Sequence, residues 1–434
     1  MRKILLFLSL CLPFGLYAAT QDSIRELLRR DPNLRGGSSA LYYYTPQRYT
    51  PAPKGFEVFH IEHMGRHGSR THASPTLDKQ LRDQLAAADS AGMLTPKGER
   101  LLADLTVLCA RMYRRYGDLT QHGREQHRQI ARRMYENFPE VLAGKGDVTA
   151  ISTLVPRAAV SMGAFVEQLK GCNPALQITL DISPSFDTFL RFNQGEEFQR
   201  YLKGSEWRRE YDAYAATLLD PTRLLNTLLK NGSDAIADPR AFMIGLYSLA
   251  AIMPNTEFGL SFYDYFTEEE QFALWRVANL REYLLKMNSA PSRGMSIAMA
   301  KPLVRQMLDS AQAAVDGGEV CAALRFGHGE DTMPLTVILE IEGLEACEPD
   351  PAKVYLAWQD FNTNPMAANI QWIFYRNAAG RVLVKVLLNE REVALPLPAV
   401  AGPYYDWEDF RNYYGGKIAR MPDMKPLPEV ETGY

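Results

Sequence analysis

Two arginines bracket a histidine in the segment Arg66-His67-Gly68-Ser69-Arg70. A planar guanidinium stays charged at any working pH and presents a fork of donors that matches the oxygens of a phosphate ester. Positive charge nearby disfavours the imidazolium, and only the neutral ring has a lone pair that can attack phosphorus. Gly68 lets the backbone approach a ligand closely. Taken alone, five such residues equally describe a satisfied structural histidine between surface arginines, so the case depends on the rest of the chain.

Two further places add matching chemistry. Pro156 suits the first turn of a helix, which puts Arg157 beside free backbone N–H groups that favour an anion. In His328-Gly329-Glu330 the histidine can hydrogen-bond a phosphate oxygen, and the glutamate can supply the proton a leaving alkoxide needs. Each has a plainer alternative: Arg157 as a surface arginine, the second cluster as a loop ion pair or cap. Asp331 is a second candidate for the proton. His60, His63, His67 and His72 could be read as metal ligands. However, His60 and His63 fall on opposite faces of the predicted strand, and arginines repel a cation, so neither a metal nor a cofactor is expected.

These residues need a scaffold that brings them together. Residues 55–63 roughly alternate apolar and polar types with Val, Phe and Ile, which predicts a strand running straight into the loop at 64–71. Residues 148–152, 176–182 and 320–326 read as further strands, and 368–375 with 382–388 as a hairpin closed by residues 377–380. Helices are expected from Pro96 with Thr95 as cap, from just after Thr120 to about Phe138, and from Pro156 with Val160, Phe165, Val166 and Leu169 as its apolar residues. A helix capped by Asp331 or Thr332 should follow 320–326. Three strand–loop–helix units thus carry the conspicuous polar residues just past a strand's carboxyl end, where open α/β sheets bind ligands. Residues 186–299 are aromatic-rich and helical without a clear strand. They predict a helical insertion into a core made of 40–185 and 300–420.

Residues 1–19 have the layout of an export signal: Arg2 and Lys3, an apolar run from 4 to 17, then Ala18 and Ala19. No later stretch supplies the ~18 apolar residues of a membrane span. Cleavage near Ala18/Ala19 would leave a periplasmic or secreted protein. The whole chain carries a net charge of −3, and removing the leader takes away two more positive charges. That excludes the basic excess of a nucleic-acid or anionic-membrane binder and requires any anionic substrate to be drawn in by a local basic pocket. Four cysteines remain after cleavage, at 109, 172, 321 and 347. A strand from 321 climbing roughly 20 Å and a helix descending roughly 18 Å would return Cys347 near Cys321, which makes that pair the expected disulfide, with four unpaired buried thiols as the equal alternative.

The order of Arg66 to Arg70, Leu119-Thr120-Gln121-His122-Gly123, Ser152-Thr153 through Arg157 to Ser161, and Leu324-Arg325-Phe326-Gly327-His328 resembles the histidine acid phosphatases, over most of the chain from Tyr42 to Tyr414. Most of that family has aspartate directly after the second histidine. Here Gly329 and Glu330 follow, which resembles the His-Ala-Glu variant of the multiple inositol polyphosphate phosphatases and phytases. The segment 402–408 also looks like that branch. The resemblance implies an α/β fold: a phosphoglycerate-mutase-like three-layer core, a central mixed sheet flanked by helices, plus an inserted mostly helical domain. It implies His67 as nucleophile, Glu330 as proton donor, and Arg66, Arg70, Arg157 and His328 holding the phosphoryl oxygens. Activity should be best at mildly acidic pH, because Glu330 must arrive protonated and a neighbouring phosphate dianion would raise its pKa. Inositol polyphosphate is the substrate so implied, acted on by a monomer. A broad-specificity acid or sugar-phosphate phosphatase and an exported anion-binding module without turnover are the alternatives. His72, Arg191 and Arg293, with Lys79 and Lys203, are candidates for contacts to additional phosphates.

Overall fold

The computed structural model describes residues 20–190, 195–230, 235–345 and 347–425. The expected leader, residues 1–19, lies outside them. One mixed sheet of nine strands organises the chain: β1 (Phe56–Arg66), β2 (Asp147–Ser152), β3 (Gln177–Ile182), β4 (Val320–Gly327), β5 (Asn369–Asn377), β6 (Val382–Leu388), β7 (Arg391–Glu392), β8 (Ala399–Ala401) and β9 (Tyr404–Asp406). The order is β3-β2-β4-β1-β5-β6-β9-β8, with β7 beside β6. β3, β2, β4 and β1 run parallel, whereas β5 joins β1 antiparallel and opens the hairpin half of the sheet. All six expected strands are present, and β7, β8 and β9 are additions too short to leave a periodic signal.

Both faces of the sheet are covered. On one face Ile61, Val148, Ala150, Leu324 and Phe326 pack with Ile130 and Phe165, from helices Gln121–Asn137 and Pro156–Cys172. On the other, Met64, Trp372 and Phe374 meet Val304 and Phe410, from helices Lys301–Val315 and Trp407–Ala419. β1 is therefore buried on both sides: His60 and Glu62 are paired there, whereas both ring nitrogens of His63 are buried without a hydrogen-bond partner. His60 Nε2 lies 2.9 Å from Glu62 Oε1, and Glu62 Oε2 binds Arg325 Nη1. Val160, expected among the apolar contacts of helix Pro156–Cys172, is instead exposed, while Phe165, Val166 and Leu169 are buried.

Residues 187–298 form helices with no strand among the described residues. Their cluster, which includes Phe242, Leu246, Trp275 and Leu280, also takes in Leu81, Leu85, Leu101 and Leu105 from helices Leu77–Ser90 and Pro96–Met112. No helix among the described residues is long and apolar enough to cross a membrane.

The expected Cys321–Cys347 disulfide does not form; Cys109, Cys172, Cys321 and Cys347 are all free thiols. Cys321 is the second residue of β4 and lies against Gly146. The helix Gly329–Ile338 follows that strand. The chain carries on to the helical region, where Glu348 N donates to Tyr283 Oη beside Cys347.

Candidate active site

The registers of the parallel strands decide what meets. Arg66 at the end of β1 pairs with Gly327 at the end of β4, and Ser152 at the end of β2 pairs with Phe326. Residues 67, 153 and 328 therefore leave three adjacent strands on one edge. His67 N donates to Gly327 O at 2.9 Å, and Ala367 N donates to His67 O at 3.0 Å, so the backbone carrying the imidazole is held from both sides.

The glycines of this edge set how closely its parts pack. A Cβ on Gly68 would sit 2.5 Å from Gly123 O and 2.6 Å from Gly123 Cα. Gly123 lies in the first turn of helix Gln121–Asn137, whose cap Thr120 accepts from Gly123 N and donates its hydroxyl to Ser69 O at 3.1 Å. The Leu-Thr-Gln-His-Gly segment is thus a buttress for the loop after β1. Ser161 adds a second brace: its Oγ accepts from Gly68 N at 3.1 Å and donates to Arg157 O at 2.8 Å.

The His67 ring is buried, and its Nδ1 donates to Gly68 O at 2.9 Å. That bond assigns the proton to Nδ1 and leaves the lone pair on Nε2. Burial, then the charges of Arg66, Arg70 and Arg157, and then His328, hold the imidazole well below the usual histidine range. The His328 ring lies 5.6 Å from it in an edge-to-face arrangement, with His328 Nε2 3.1 Å from Thr153 Oγ1. Arg66 is fixed through Nη1, which donates to Ser38 O and Asn364 O, each at 2.6 Å. Arg70 donates to Thr71 O at 2.9 Å, and burial together with Arg157 and Arg66 pushes it down to about 9. Arg66 Nε and Arg70 Nε are buried without a hydrogen-bond partner, an arrangement suited to an anion that supplies acceptors.

The two acidic residues after His328 part company. Asp331 Oδ2 accepts from His328 N at 2.7 Å and caps the helix from its third position, so the cap is His328 and not Asp331 or Thr332, and the helix starts at Gly329. Glu330 turns the other way, to Lys286 Nζ at 3.2 Å. Burial pushes its carboxyl up, but Lys286, then His328, its own backbone N–H and Arg66 outweigh that and hold it well below the usual carboxylate range. In the free protein the cations that suit a phosphate thus also stabilise the Glu330 carboxylate, and its expected protonation depends on the neighbouring phosphate dianion. Gly329, where the resemblance leads one to expect alanine, leaves room for Asn364: an added Cβ would lie 2.5 Å from Asn364 Nδ2.

The structure brings His67, Arg66, Arg70, Arg157, His328 and Glu330 together. Of the candidates for further phosphates, His72 is buried, 3.7 Å from Asp78, and lines the same cavity as Arg70. Arg293 is exposed on a left-handed turn, Lys203 is exposed, Lys79 lies over the Tyr116 ring, and Arg191 lies outside the described residues. The cavity, about 440 Å³, is lined by Ser38, Arg70, His72, Arg281, Glu282 and Asp360 among others. Asp360 accepts from Ser38 N and Trp275 Nε1, and burial with the charge of Glu282 pushes it up to about 7. Sequence reasoning missed Lys286, Glu282 and Asp360. The first two are four residues apart on helix Glu268–Lys286, a spacing that ordinarily describes a solvated pair, and the cue was the apolar residues around them, Leu280, Tyr283, Leu284 and Leu285, all buried.

An α/β sheet with buried histidines and converging arginines at the carboxyl ends of its parallel strands is a phosphoryl-transfer architecture. The profile of the histidine phosphatase superfamily (branch 2) matches residues 58–389, and the chain belongs to that family, a histidine-type phosphatase. Among solved structures it resembles the multiple inositol polyphosphate phosphatase of Bifidobacterium longum in complex with inositol hexasulfate. There the TM-score is 0.78 at 19% identity, covering 91% of this chain and 99% of that one. The phytase of D. castellii has a TM-score of 0.66 at 15% identity, over 89% and 86% of the two chains. The phytase of Klebsiella sp. ASR1 has 0.55 at 12%, over 86% and 100%. At these identities the likeness is one of fold. No curated protein sequence matches.

Proposed function

We propose that this chain removes phosphate from inositol polyphosphates such as phytate through a phosphohistidine on His67. The observation that carries the reading is the hydrogen bond from His67 Nδ1 to Gly68 O, which leaves the Nε2 lone pair among the charges of Arg66, Arg70 and Arg157. Nε2 attacks phosphorus, the ester P–O bond breaks, and the leaving oxygen takes the Glu330 proton. Water then attacks the N–P bond, giving its proton to the Glu330 carboxylate, and His67 is regenerated. Arg66, Arg70, Arg157 and His328 hold the equatorial oxygens, stabilisation by donors placed in advance.

The substrate class rests on two supports: the Bifidobacterium relative was solved with inositol hexasulfate, and the cavity beside Arg70 extends to Arg281 and Lys286's partner Glu282. Glu282 and Asp360 in the same cavity favour a smaller phosphomonoester as the second reading. The working unit is a monomer exported through the leader at 1–19, with a core of 40–185 and 300–420 and a helical cap of 186–299. His67→Ala should lower phosphate release by about 10⁴-fold or more. Radiolabelled substrate quenched in base should leave an acid-labile label on His67. Full activity in His67→Ala, or release from simple monoesters but never from phytate, would overturn the mechanism or the substrate respectively.

A further inference from the structure

Under the proposed chemistry, Glu330 has two opposed tasks. It must carry a proton when the ester oxygen leaves and be a carboxylate when water attacks the phosphohistidine. The free protein favours only the second state. Lys286 Nζ, in the last turn of helix Glu268–Lys286, lies 3.2 Å from Glu330 Oε1 and 2.6 Å from Glu282 Oε2. Arg66 from the end of β1, Arg70 from the loop and His328 at the start of its own helix add positive charge around Glu330, and Glu282 adds a negative one. A phosphoryl group in the His67 site offsets the arginines. It does not address Lys286, which reaches Glu330 from a different helix and is tethered there by Glu282.

We propose that Lys286 is a substrate-operated switch on Glu330: a phosphate of the substrate other than the one being cleaved draws Nζ away, and the freed carboxyl takes up a proton from solvent. A dianionic phosphate competes for an ammonium more strongly than one carboxylate does, and Glu282 keeps the lysine within reach while it changes partner. When the leaving group departs with the Glu330 proton and the product's remaining phosphates, Lys286 returns to Glu330 and favours the carboxylate that the water step needs. Substrates with several phosphates are then selected at the chemical step as well as in binding, whereas a simple monoester leaves the Lys286–Glu330 pair closed. The inference rests on the phosphohistidine reading and makes Lys286 a positioning residue.

The test is the pH dependence of kcat for phytate and for glycerol 2-phosphate, an alkyl monoester whose leaving oxygen also needs the proton, measured on the wild type, Lys286→Met, Lys286→Gln and Lys286→Arg. Removing the lysine removes stabilisation of the carboxylate, so the protonated form persists to higher pH. In the wild type, the high-pH limb for phytate should lie above that for the monoester. In Lys286→Met and Lys286→Gln the monoester limb should move up to meet it, and the phytate-to-monoester ratio of kcat should fall by about tenfold, a usual size for coupling between two sites. Lys286→Arg, which keeps the charge, should keep the limbs apart. Coincident limbs in the wild type, or rates that fall in both neutral variants with the limbs unmoved, would overturn the switch. Loss of His67 without effect on either substrate would sink the underlying mechanism instead.

Discussion

Gly68→Ala separates the placement of His67 from its chemistry. The added Cβ would lie 2.5 Å from Gly123 O, 2.6 Å from its Cα and 2.8 Å from its carbonyl carbon. Ordinary contact between carbons is about 3.5–4.0 Å, so the two backbones must part by roughly 1 Å. Neither side yields easily. Gly123 is in a capped first helical turn whose Thr120 also holds Ser69 O, and Gly68 N is tied to Ser161 Oγ. Overpacking of this kind costs about 1–3 kcal/mol of stability. A displacement of about 1 Å at a reacting group costs on the order of 100-fold in turnover. Gly68→Ala should therefore fold, melt earlier, and lose about 100-fold in kcat. Gly163→Ala is the control: it lies on an exposed part of helix Pro156–Cys172 with no atom within 4 Å of the new Cβ. Its kcat should be unchanged and its stability equal or up to about 1 kcal/mol higher. Thermal melts and phosphate-release rates measured side by side decide the matter. A Gly68→Ala protein indistinguishable from wild type in both would refute the reasoning.

Other outcomes follow from the same geometry. Arg70→Met removes a cation that depresses His67, so the imidazolium forms at higher pH; nitrogen NMR of His67 should show its titration midpoint rising, and the low-pH limb of kcat/KM should move up with it. Burial pushes Glu62 up, but Arg325 and His60 outweigh it and hold it below the usual range, so this carboxylate adds stability above the unfolded pKa that is lost as pH falls through the lower folded one. Arg325→Met should cost about 3–5 kcal/mol in urea melts at pH 7, shrinking as Glu62 is protonated at lower pH. Gly329→Ala should destabilise by pressing on Asn364 Nδ2, and Asn364→Ala should relieve it, with a coupling of about 0.5–3 kcal/mol in a double-mutant cycle of thermal melts. Thiol titration of the native protein should label exposed Cys347 rapidly without reductant, and four thiols should react after unfolding of the leaderless protein.

What could be read from residues alone was whatever depends on neighbours in sequence. Val, Ile and Phe runs gave β2 to β6 almost to their ends, while β1 continues to Arg66 through 64–66, expected as loop; Thr95, Thr120, Pro96 and Pro156 marked helix starts because capping and proline geometry are local. The convergence of His67, Arg157 and His328 was legible for a related reason: each followed a strand, and parallel neighbours align their carboxyl ends. What failed depended on partners distant in the chain. Cys347 was placed by assuming an antiparallel return, yet Tyr283 from the helical region draws the chain elsewhere. Lys286 and Glu282 form an ordinary-looking helical pair until Glu330, 44 residues beyond Lys286 in the numbering, is brought to 3.2 Å.

One set of charges acts on both reacting groups, and in opposite senses for the proposed chemistry. Arg66 and its fellow cations keep His67 neutral, which a nucleophile requires, while Arg66, Lys286 and His328 keep Glu330 ionised, which an acid cannot be. Strengthening the phosphate grip therefore weakens the proton donor unless the incoming ligand cancels part of the field. A dianion bound to the arginines does so, and it also raises the pKa of His67, though burial, the foremost cause of that group's depression, remains in place. Glu330 differs: burial already favours its protonated form, but Lys286 leads the cations that oppose it, so burial prevails only once a further phosphate of the substrate has drawn Lys286 away as well. Substrate binding thus separates two groups that the free protein holds under the same influence, keeping the imidazole neutral while releasing the carboxyl to become an acid.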